Sequence, residues 1–234
     1  MPVIKTYFIG ISLLTVTHIG LGQYSIVLMQ IHNSSHTAVI TTDISGEPKV
    51  SRSACREIVE KLLTSYANSD QPLKLSFDSF GKPSVDSDFP SFSYSHSNTL
   101  LVLVISSKAN AIGVDTEARS RLSEINSLSS LAFSQVELRC LTKQDMLAAW
   151  CVKEAAVKQL GKGFRDANPT EFTVQSQNKT YTLSLSGNEI LRGYVYSKFI
   201  KDDLVVICSD RELKGVKFVS HRLATLQINM ENPK

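Results

Sequence analysis

The first fifty residues alternate short apolar runs with polar or glycine-bearing turns, a pattern that predicts β-strands. A stronger signal is Leu100 to Ser106, a nearly continuous aliphatic run of the kind that is buried on both faces. Ala111 to Glu117 predicts the next strand, and Leu73 to Phe77 predicts a shorter one before it. After Pro169 the pattern returns to alternating strands, which continue to Cys208.

Helical periodicity begins at Ser51, where apolar residues recur every three or four positions and charged residues occupy the opposite side. Ser51 or Ser53 could cap this helix. The strongest helix signal is Met146 to Leu160, which is rich in helix formers, lacks glycine and proline, and ends at a Gly-Lys-Gly sequence. Two short helices are predicted between them, over Leu122 to Phe133 and Val136 to Leu141.

The order strands, helix, strands, helix, strands predicts an α+β fold of two similar halves that meet near residue 110. Each half is expected to hold an antiparallel sheet and one long helix, and the halves to pack as a pseudo-dimer. The alternation is too sparse for the repeated βαβ units of a doubly wound sheet. We expect an N-terminal half over residues 1–110, a C-terminal half over residues 111–228 and a tail over residues 229–234, although no sequence repeat is visible.

The composition is that of an ordinary globular protein, because 42% of the 234 residues are hydrophobic and 20% are charged. No stretch approaches the roughly 20 uninterrupted apolar residues that a membrane-spanning helix needs, so we expect no membrane partner. The net charge of +3 is too mild for a polybasic nucleic-acid binder, so we expect no nucleic-acid partner either. A local basic site for an anionic ligand remains compatible with this charge.

Four cysteines are scattered without a Cys-x-x-Cys pair, which argues against a zinc site and a disulfide framework. They are Cys55, Cys140, Cys151 and Cys208. Reduced, buried thiols favour a cytoplasmic protein. Against this, Lys5 precedes an apolar run from Tyr7 to Val16 that faintly resembles a secretory signal, but a pair of strands explains that run as well.

Asp115 and Glu117 are two positions apart in a predicted strand, so both carboxylates project from the same face. Two like charges this close repel each other unless a cation lies between them. Mg²⁺ is a hard ion that accepts carboxylate ligands together with substrate phosphates, so this pair suits it. The alternative is a solvated strand face, which is the usual meaning of a lone Asp-x-Glu.

The predicted helix Met146 to Leu160 places Trp150, Glu154 and Lys158 on one stripe, at intervals of four residues. Glu154 and Lys158 would be read as an exposed ion pair if this helix stood alone. Lys153 either reaches a phosphate or extends outward into solvent. Trp150 is expected to pack at the interface between the halves rather than to contact a substrate.

Four motifs follow one another along the chain in a specific order. They are Phe80-Gly81-Lys82-Pro83, Phe92-Ser93-Tyr94-Ser95-His96-Ser97, Ile112-Gly113-Val114-Asp115-Thr116-Glu117 and the run from Trp150 to Gly163. In this order they resemble the 4′-phosphopantetheinyl transferase superfamily, specifically the larger type that activates peptide and polyketide synthases. The segment from Phe133 to Leu141 also looks like the family's segment between the last two motifs, and the resemblance covers about residues 51–165.

The resemblance implies an enzyme that transfers the phosphopantetheine arm of coenzyme A to a serine of an apo carrier protein and releases 3′,5′-ADP. It implies a Mg²⁺ ion held by Asp115, Glu117 and Glu154, with Glu154 also the candidate base. The expected partners are coenzyme A and an acyl or peptidyl carrier protein of fatty acid, polyketide or nonribosomal peptide biosynthesis. We expect a monomer.

The coenzyme is expected to lie between the two halves. The resemblance implies that Lys158 and His96 hold its pyrophosphate. It also implies that Lys82 and Ser95 line the coenzyme groove. Thr116 stands where the family usually has an aliphatic residue, but its side chain is expected on the face opposite the carboxylates, where it should not disturb them.

The chain departs from the family in its first fifty residues, which lack the basic run with which many relatives hold the 3′-phosphate of coenzyme A. The nearest candidates for this contact are Lys49, Arg52 and Arg56. Arg52 and Arg56 share a helical face, which suits a forked contact to one phosphate. The alternative is that both are solvated surface charges.

Two other classes of protein remain open. A metal-dependent nuclease could also use an Asp-x-Glu strand and a helical Glu-x-x-x-Lys, but a broader basic surface would be expected of it. A catalytically silent module that binds coenzyme A or a carrier protein would keep the fold and lose ligands, whereas all three carboxylates and the lysine are present here.

Overall fold

A computed structural model describes residues 4–9, 12–21, 24–32, 37–44, 51–85, 89–162, 164, 168–214 and 216–225. The strands are β1 (Ile4–Ile9), β2 (Ser12–Leu21), β3 (Tyr24–His32), β4 (Thr37–Asp43), β5 (Ser76–Phe77), β6 (Pro83–Ser84), β7 (Ser91–His96), β8 (Leu100–Ser106), β9 (Ile112–Ala118), β10 (Phe172–Gln177), β11 (Thr180–Leu185), β12 (Asn188–Ile200), β13 (Asp203–Ser209) and β14 (Lys217–Thr225). The helices are α1 (Arg52–Tyr66), α2 (Leu122–Ser127), α3 (Ser129–Ala132), α4 (Gln135–Cys140) and α5 (Met146–Gln159).

The strands form a seven-stranded sheet in the order β1-β2-β3-β14-β4-β8-β7 and a five-stranded sheet in the order β10-β11-β12-β13-β9. Strands β5 and β6 make a small separate hairpin. Neighbouring strands pair antiparallel, apart from β14 and β4, which run parallel. The prediction of an α+β fold with antiparallel sheets is therefore confirmed.

The two sheets pack face to face, and one long helix covers the outer face of each. The odd-numbered residues of β8, Leu101 to Ile105, pack on α1. The even-numbered residues, Leu100 to Val104, pack against Val205 and Ile207 of β13. On β13 the even-numbered residues Leu204 to Cys208 pack on α5. Strand β8 is buried at every position, which confirms the burial on both faces expected from its aliphatic run.

The start of α1 and the end of α5 are as predicted. Ser51 caps α1, where its hydroxyl accepts a hydrogen bond from the amide of Ala54 at 3.1 Å. Helix α5 ends at Gly161, whose φ of +83° is a left-handed conformation that glycine adopts without strain. The predicted helix over Leu122 to Phe133 is interrupted at Leu128, which separates α2 from α3.

The strand predicted over Leu73 to Phe77 is mostly wrong, because only Ser76–Phe77 pairs with another strand. The amides of Leu73 and Leu75 donate instead to side chains of α1, at 2.8 Å to Thr64 and 3.0 Å to Glu60. Helix side chains thus replace the strand partner that the apolar pattern suggested.

The first and last described segments of the chain meet in the seven-stranded sheet. Strands β1 to β3 confirm the strand interpretation of the apolar run near the N-terminus. Strand β14, which the sequence did not predict, lies between β3 and β4 and so joins the last described segment to the first sheet. The division into halves and their pseudo-dimeric packing stay predictions, and the expected tail 229–234 lies outside the described residues. No helix in the described part of the chain is long and apolar enough to cross a membrane.

Candidate active site

The candidate site lies where the edge strands of the two sheets meet, with β7 beside β9 and α5 over β9. Two serines of β7 bind β9 directly. The hydroxyl of Ser93 accepts from the amide of Val114 at 3.1 Å, and the hydroxyl of Ser95 donates to Oδ1 of Asp115 at 2.9 Å. The motif on β7 therefore holds the strand that carries the two predicted carboxylates.

Gly113 allows α5 to approach β9 closely. A Cβ at this position would lie 2.0 Å from the carbonyl oxygen of Ala155 and 2.4 Å from the amide nitrogen of Gln159. Asp115 and Glu117 follow at alternate positions of β9, so they lie on the same face as Gly113, toward α5. The predicted common face is confirmed, and the close packing brings this face next to Glu154 and Lys158.

Asp115 is the buried centre of the site, with 4% of its surface exposed. Its Oδ1 accepts from Nζ of Lys158 at 2.7 Å, and the same Nζ donates to the hydroxyl of Ser95 at 3.1 Å. Its Oδ2 is buried and has no hydrogen-bond partner among the described residues. Burial lowers the pKa of Lys158, but the charges of Asp115 and Glu154 outweigh it and raise that pKa, so the ammonium stays protonated.

Glu117 is bound by Arg121, a residue that the sequence analysis did not select. Nη1 of Arg121 donates to both carboxylate oxygens of Glu117, at 2.7 and 2.8 Å. Burial and the nearby charge of Asp115 raise the pKa of Glu117, against hydrogen bonds from Arg121 and Trp150 that lower it. Arg121 is four residues after Glu117, the spacing of neighbours on a helix, but Glu117 lies in the predicted strand β9 and Arg121 follows its end, so the strand interpretation did not pair them.

Glu154 lies half-buried on α5, beside the two carboxylates of β9. Burial and the charge of Asp115 raise the pKa of Glu154 to about 7, although Lys158 lowers it. A carboxyl group with this pKa can accept or release a proton near neutral pH, as a general base must. Glu154 and Lys158 therefore belong to a charge cluster with Asp115, Glu117 and Arg121, and they are not an isolated surface ion pair.

The donor set of this cluster suits a hard cation, since it consists of three carboxylates. The buried Oδ2 of Asp115 adds an acceptor without a hydrogen bond. Lys158 and Arg121 neutralise the carboxylates of β9 in this structure, and no three His, Cys, Asp or Glu side chains of the described residues are arranged to hold a metal ion. The ligand roles of Asp115, Glu117 and Glu154 fit the chemistry and stay a prediction.

A groove with a volume of about 250 Å³ opens beside Lys158. Lys82 and Lys162 line the same groove together with Tyr94. Lys82 is held in a tight turn, because Oδ1 of Asp78 accepts from its amide at 2.8 Å. Three lysines thus face one cavity, which suits an anionic ligand. The predicted groove contacts of Lys82 and Lys158 remain a prediction, and Ser95 points its hydroxyl to Asp115 instead.

His96 ends β7 at an exposed position near the same cations. Desolvation lowers the pKa of His96, and so do the positive charges of Lys158 and Arg52. Arg52 is therefore within electrostatic range of His96. Arg56 has structural partners, since it donates to Glu60 at 3.2 Å and to the carbonyl oxygen of Leu75. Lys49, the third predicted cation, lies outside the described residues.

Two expectations for α5 are wrong. Lys153 reaches neither a phosphate nor solvent, because it is fully buried and donates to Oε2 of Glu137 at 2.6 Å. It also donates to the carbonyl oxygens of Ala132 and Pro169, at 3.0 and 3.1 Å. Trp150 does not pack between halves, since its ring lies against Phe133 and Phe164 in the core of α5 and the five-stranded sheet. Sequence gave no sign of the Lys153 partner, which lies 16 residues away.

One comparison with known proteins returned a match. Residues 111–209 match the family model described as the 4′-phosphopantetheinyl transferase superfamily. The matched segment runs from the start of β9 to the end of β13 and contains every carboxylate of the charge cluster. The match supports phosphopantetheinyl transfer as the class of reaction. The comparison with curated proteins returned no match.

Proposed function

We propose that the chain, whose residues 111–209 match the model of the 4′-phosphopantetheinyl transferase superfamily, transfers the phosphopantetheine arm of coenzyme A to a serine of an apo carrier protein. The observation that carries this proposal is the position of Lys158. Its ammonium is 2.7 Å from Asp115 in the charge cluster, and its side chain lines the groove that Lys82 and Lys162 also line. One residue thus connects the charge cluster with a candidate phosphate site.

The reaction forms one bond and breaks one. The serine oxygen of the carrier attacks the phosphorus that bears the pantetheine arm, and the bond from that phosphorus to the bridging oxygen of the pyrophosphate breaks. The electron pair leaves with 3′,5′-ADP. The serine proton goes to Glu154, the candidate base, whose carboxyl group lies on α5 beside Asp115 and Glu117.

Negative charge builds up on the phosphate oxygens as the bond breaks, so the site must supply positive charge. Lys158, Lys82 and Lys162 offer it along the groove. Asp115, Glu117 and Glu154 would hold a Mg²⁺ ion, which when bound neutralises phosphate oxygens. His96 is within electrostatic range of both Lys158 and Arg52, and His96 and Arg52 would bind the remaining phosphate charge of the coenzyme.

We assign the coenzyme groove to both parts of the chain. Lys82 and Tyr94 come from the expected half 1–110, and Lys158 and Lys162 from the expected half 111–228. One chain thus lines the groove from both parts, and a monomer is the working unit that we propose. Ser95 contributes by orienting Asp115 and Lys158, to which its hydroxyl is hydrogen-bonded at 2.9 and 3.1 Å.

The proposal is tested by incubating the protein with coenzyme A, Mg²⁺ and a panel of apo carrier proteins, and by measuring the intact mass of each carrier. We expect at least one carrier to gain the mass of a single phosphopantetheine arm. A carrier whose acceptor serine is replaced by alanine is the matched control and should gain nothing. Coenzyme A binding without transfer to any carrier would contradict the proposal and favour the silent binding module.

Metal dependence is tested in the same assay. Asp115→Ala and Glu117→Ala should each lower turnover by several orders of magnitude and leave the far-ultraviolet circular dichroism spectrum unchanged, because each removes a charged ligand and little packing. EDTA should abolish transfer by the wild type, and added Mg²⁺ should restore it. Full activity of the wild type in EDTA would refute the metal assignment and leave the transfer reaction standing.

A further inference from the structure

We propose that Arg121 is a built-in counter-cation that competes with the metal ion for Glu117 and so sets the cation affinity of the charge cluster. The inference rests on the proposed function, since it takes Glu117 as a metal ligand. Arg121 acts through Glu117 and is therefore a positioning residue. In this structure Arg121 occupies both oxygens of Glu117, and no three His, Cys, Asp or Glu side chains of the described residues are arranged to hold a metal ion.

The guanidinium of Arg121 spans two carboxylates. Its Nη1 donates to both oxygens of Glu117, at 2.7 and 2.8 Å. Its Nε and Nη2 donate to the two oxygens of Glu124, at 3.0 and 2.8 Å. The Glu117 side chain is 11% exposed, that of Arg121 37% and that of Glu124 52%, so Arg121 lies between the buried carboxylate and solvent.

A divalent cation and this guanidinium cannot occupy the same oxygens of Glu117 without strong repulsion. Both oxygens of Glu117 already accept a charge-assisted hydrogen bond from Nη1. Asp115 differs, because Lys158 and Ser95 bind only its Oδ1 and leave Oδ2 without a partner among the described residues. Competition between the cation and a protein side chain is therefore concentrated at Glu117.

Glu124 provides a place for the displaced guanidinium. The two hydrogen bonds to Glu124 use Nε and Nη2, so they survive when Nη1 leaves Glu117. Arg121 also borders a mostly apolar groove of about 160 Å³, whose lining includes Ile125, Leu128 and Trp150. Arg121 can therefore turn away from Glu117 while it keeps one carboxylate partner, and the exchange does not leave a buried charge unpaired.

Substitutions of Arg121 and of Glu124 should change the affinity for the cation in opposite directions. Arg121→Gln removes the competitor and should tighten binding of Mg²⁺ or Mn²⁺ by about three- to tenfold. Glu124→Gln removes the alternative partner, leaves Arg121 on Glu117 and should weaken binding. The matched control is Arg119→Gln, which makes the same charge change two residues away, where the guanidinium lies over the ring of Phe199 at 4.5 Å.

The experiment is a calorimetric titration of the metal-free protein with MgCl₂, repeated with MnCl₂ and read by the loss of the free Mn²⁺ electron paramagnetic resonance signal. Arg121→Gln should bind more tightly than Arg119→Gln, and Glu124→Gln less tightly than the wild type. Equal affinity of Arg121→Gln and Arg119→Gln would overturn the inference, as would the absence of cation binding by every variant. Arg121→Lys serves if Arg121→Gln does not fold. It should tighten cation binding because a lysine cannot span both carboxylates, but less than Arg121→Gln because it keeps the positive charge.

The carrier assay on the same preparations separates this inference from the proposed function. Wild-type protein that modifies a carrier, with a cation affinity that does not depend on Arg121, would refute the inference alone. Tightened cation binding in Arg121→Gln without phosphopantetheine transfer by the wild type would refute the proposed function alone.

Discussion

Gly113→Ala tests whether the close packing of α5 on β9 is what assembles the charge cluster. The new Cβ would lie 2.0 Å from the carbonyl oxygen of Ala155 and 2.4 Å from the amide of Gln159. Real Cβ atoms essentially never approach other atoms closer than 3.0 Å, and both neighbours are backbone, so α5 must move away by about one ångström. The variant therefore displaces the helix that carries Glu154 and Lys158.

The magnitude follows from two consequences of this movement. Overpacking of a buried site costs about 1 to 3 kcal/mol of folding stability. The 2.7 Å contact between Lys158 and Asp115 would lengthen beyond the usual hydrogen-bond range, and a misplacement of about 1 Å in an active site can cost about a hundredfold in rate. We therefore expect a folded variant whose transfer rate falls about a hundredfold.

The matched control is Gly193→Ala, in the same sheet on β12. Its Cβ would lie 2.5 Å from the carbonyl oxygen of Ser209 on β13 and 3.0 Å from the ring of Tyr181 on β11, so it is also overpacked, but it does not meet the backbone of α5. Transfer is measured by intact mass at a temperature where both variants are folded, as judged by thermal unfolding. A wild-type rate in Gly113→Ala, or equal rate losses in both variants, would refute the reasoning.

Three further predictions concern buried and charged side chains. Lys153→Met leaves the buried carboxylate of Glu137 without its cation and should lower the free energy of unfolding in urea by about 3 to 5 kcal/mol. Adding Glu137→Gln should recover part of that loss, and additive losses would contradict the ion pair. Arg52→Ala should raise KM for coenzyme A about tenfold but leave KM for 3′-dephospho-coenzyme A unchanged; equal increases would place the 3′-phosphate elsewhere. Burial raises the pKa of Glu60, but hydrogen bonds from Lys74, from the Leu75 amide and from Arg56 lower it overall. This contribution to stability is therefore present above the unfolded pKa of about 4.3 and lost as the pH falls through the lower folded value; Glu60→Gln should flatten the profile of unfolding free energy against pH below about pH 5.

Local features of the fold could be predicted because their causes are local. The cap at Ser51 and the stop at Gly161 depend on the backbone of a few neighbouring residues. Strand β8 was predictable from its continuous aliphatic run. The common face of Asp115 and Glu117 follows from the two-residue period of a strand. These are properties of short segments, and they hold whatever the segments pack against.

The tertiary structure decided the partners of the charged groups. Glu117 is held by Arg121, four residues later and beyond the end of the strand, and Lys153 is held by Glu137 from another helix, 16 residues earlier in the chain. Neither contact follows from the period of one helix or strand, because each pair spans the end of an element. Strand β14 joins a sheet whose other strands lie more than 100 residues earlier in the chain. Sequence determined which side chains could do the chemistry. Burial and contacts between distant segments decide which cation binds each carboxylate. Both exist only once the sheets and helices have packed.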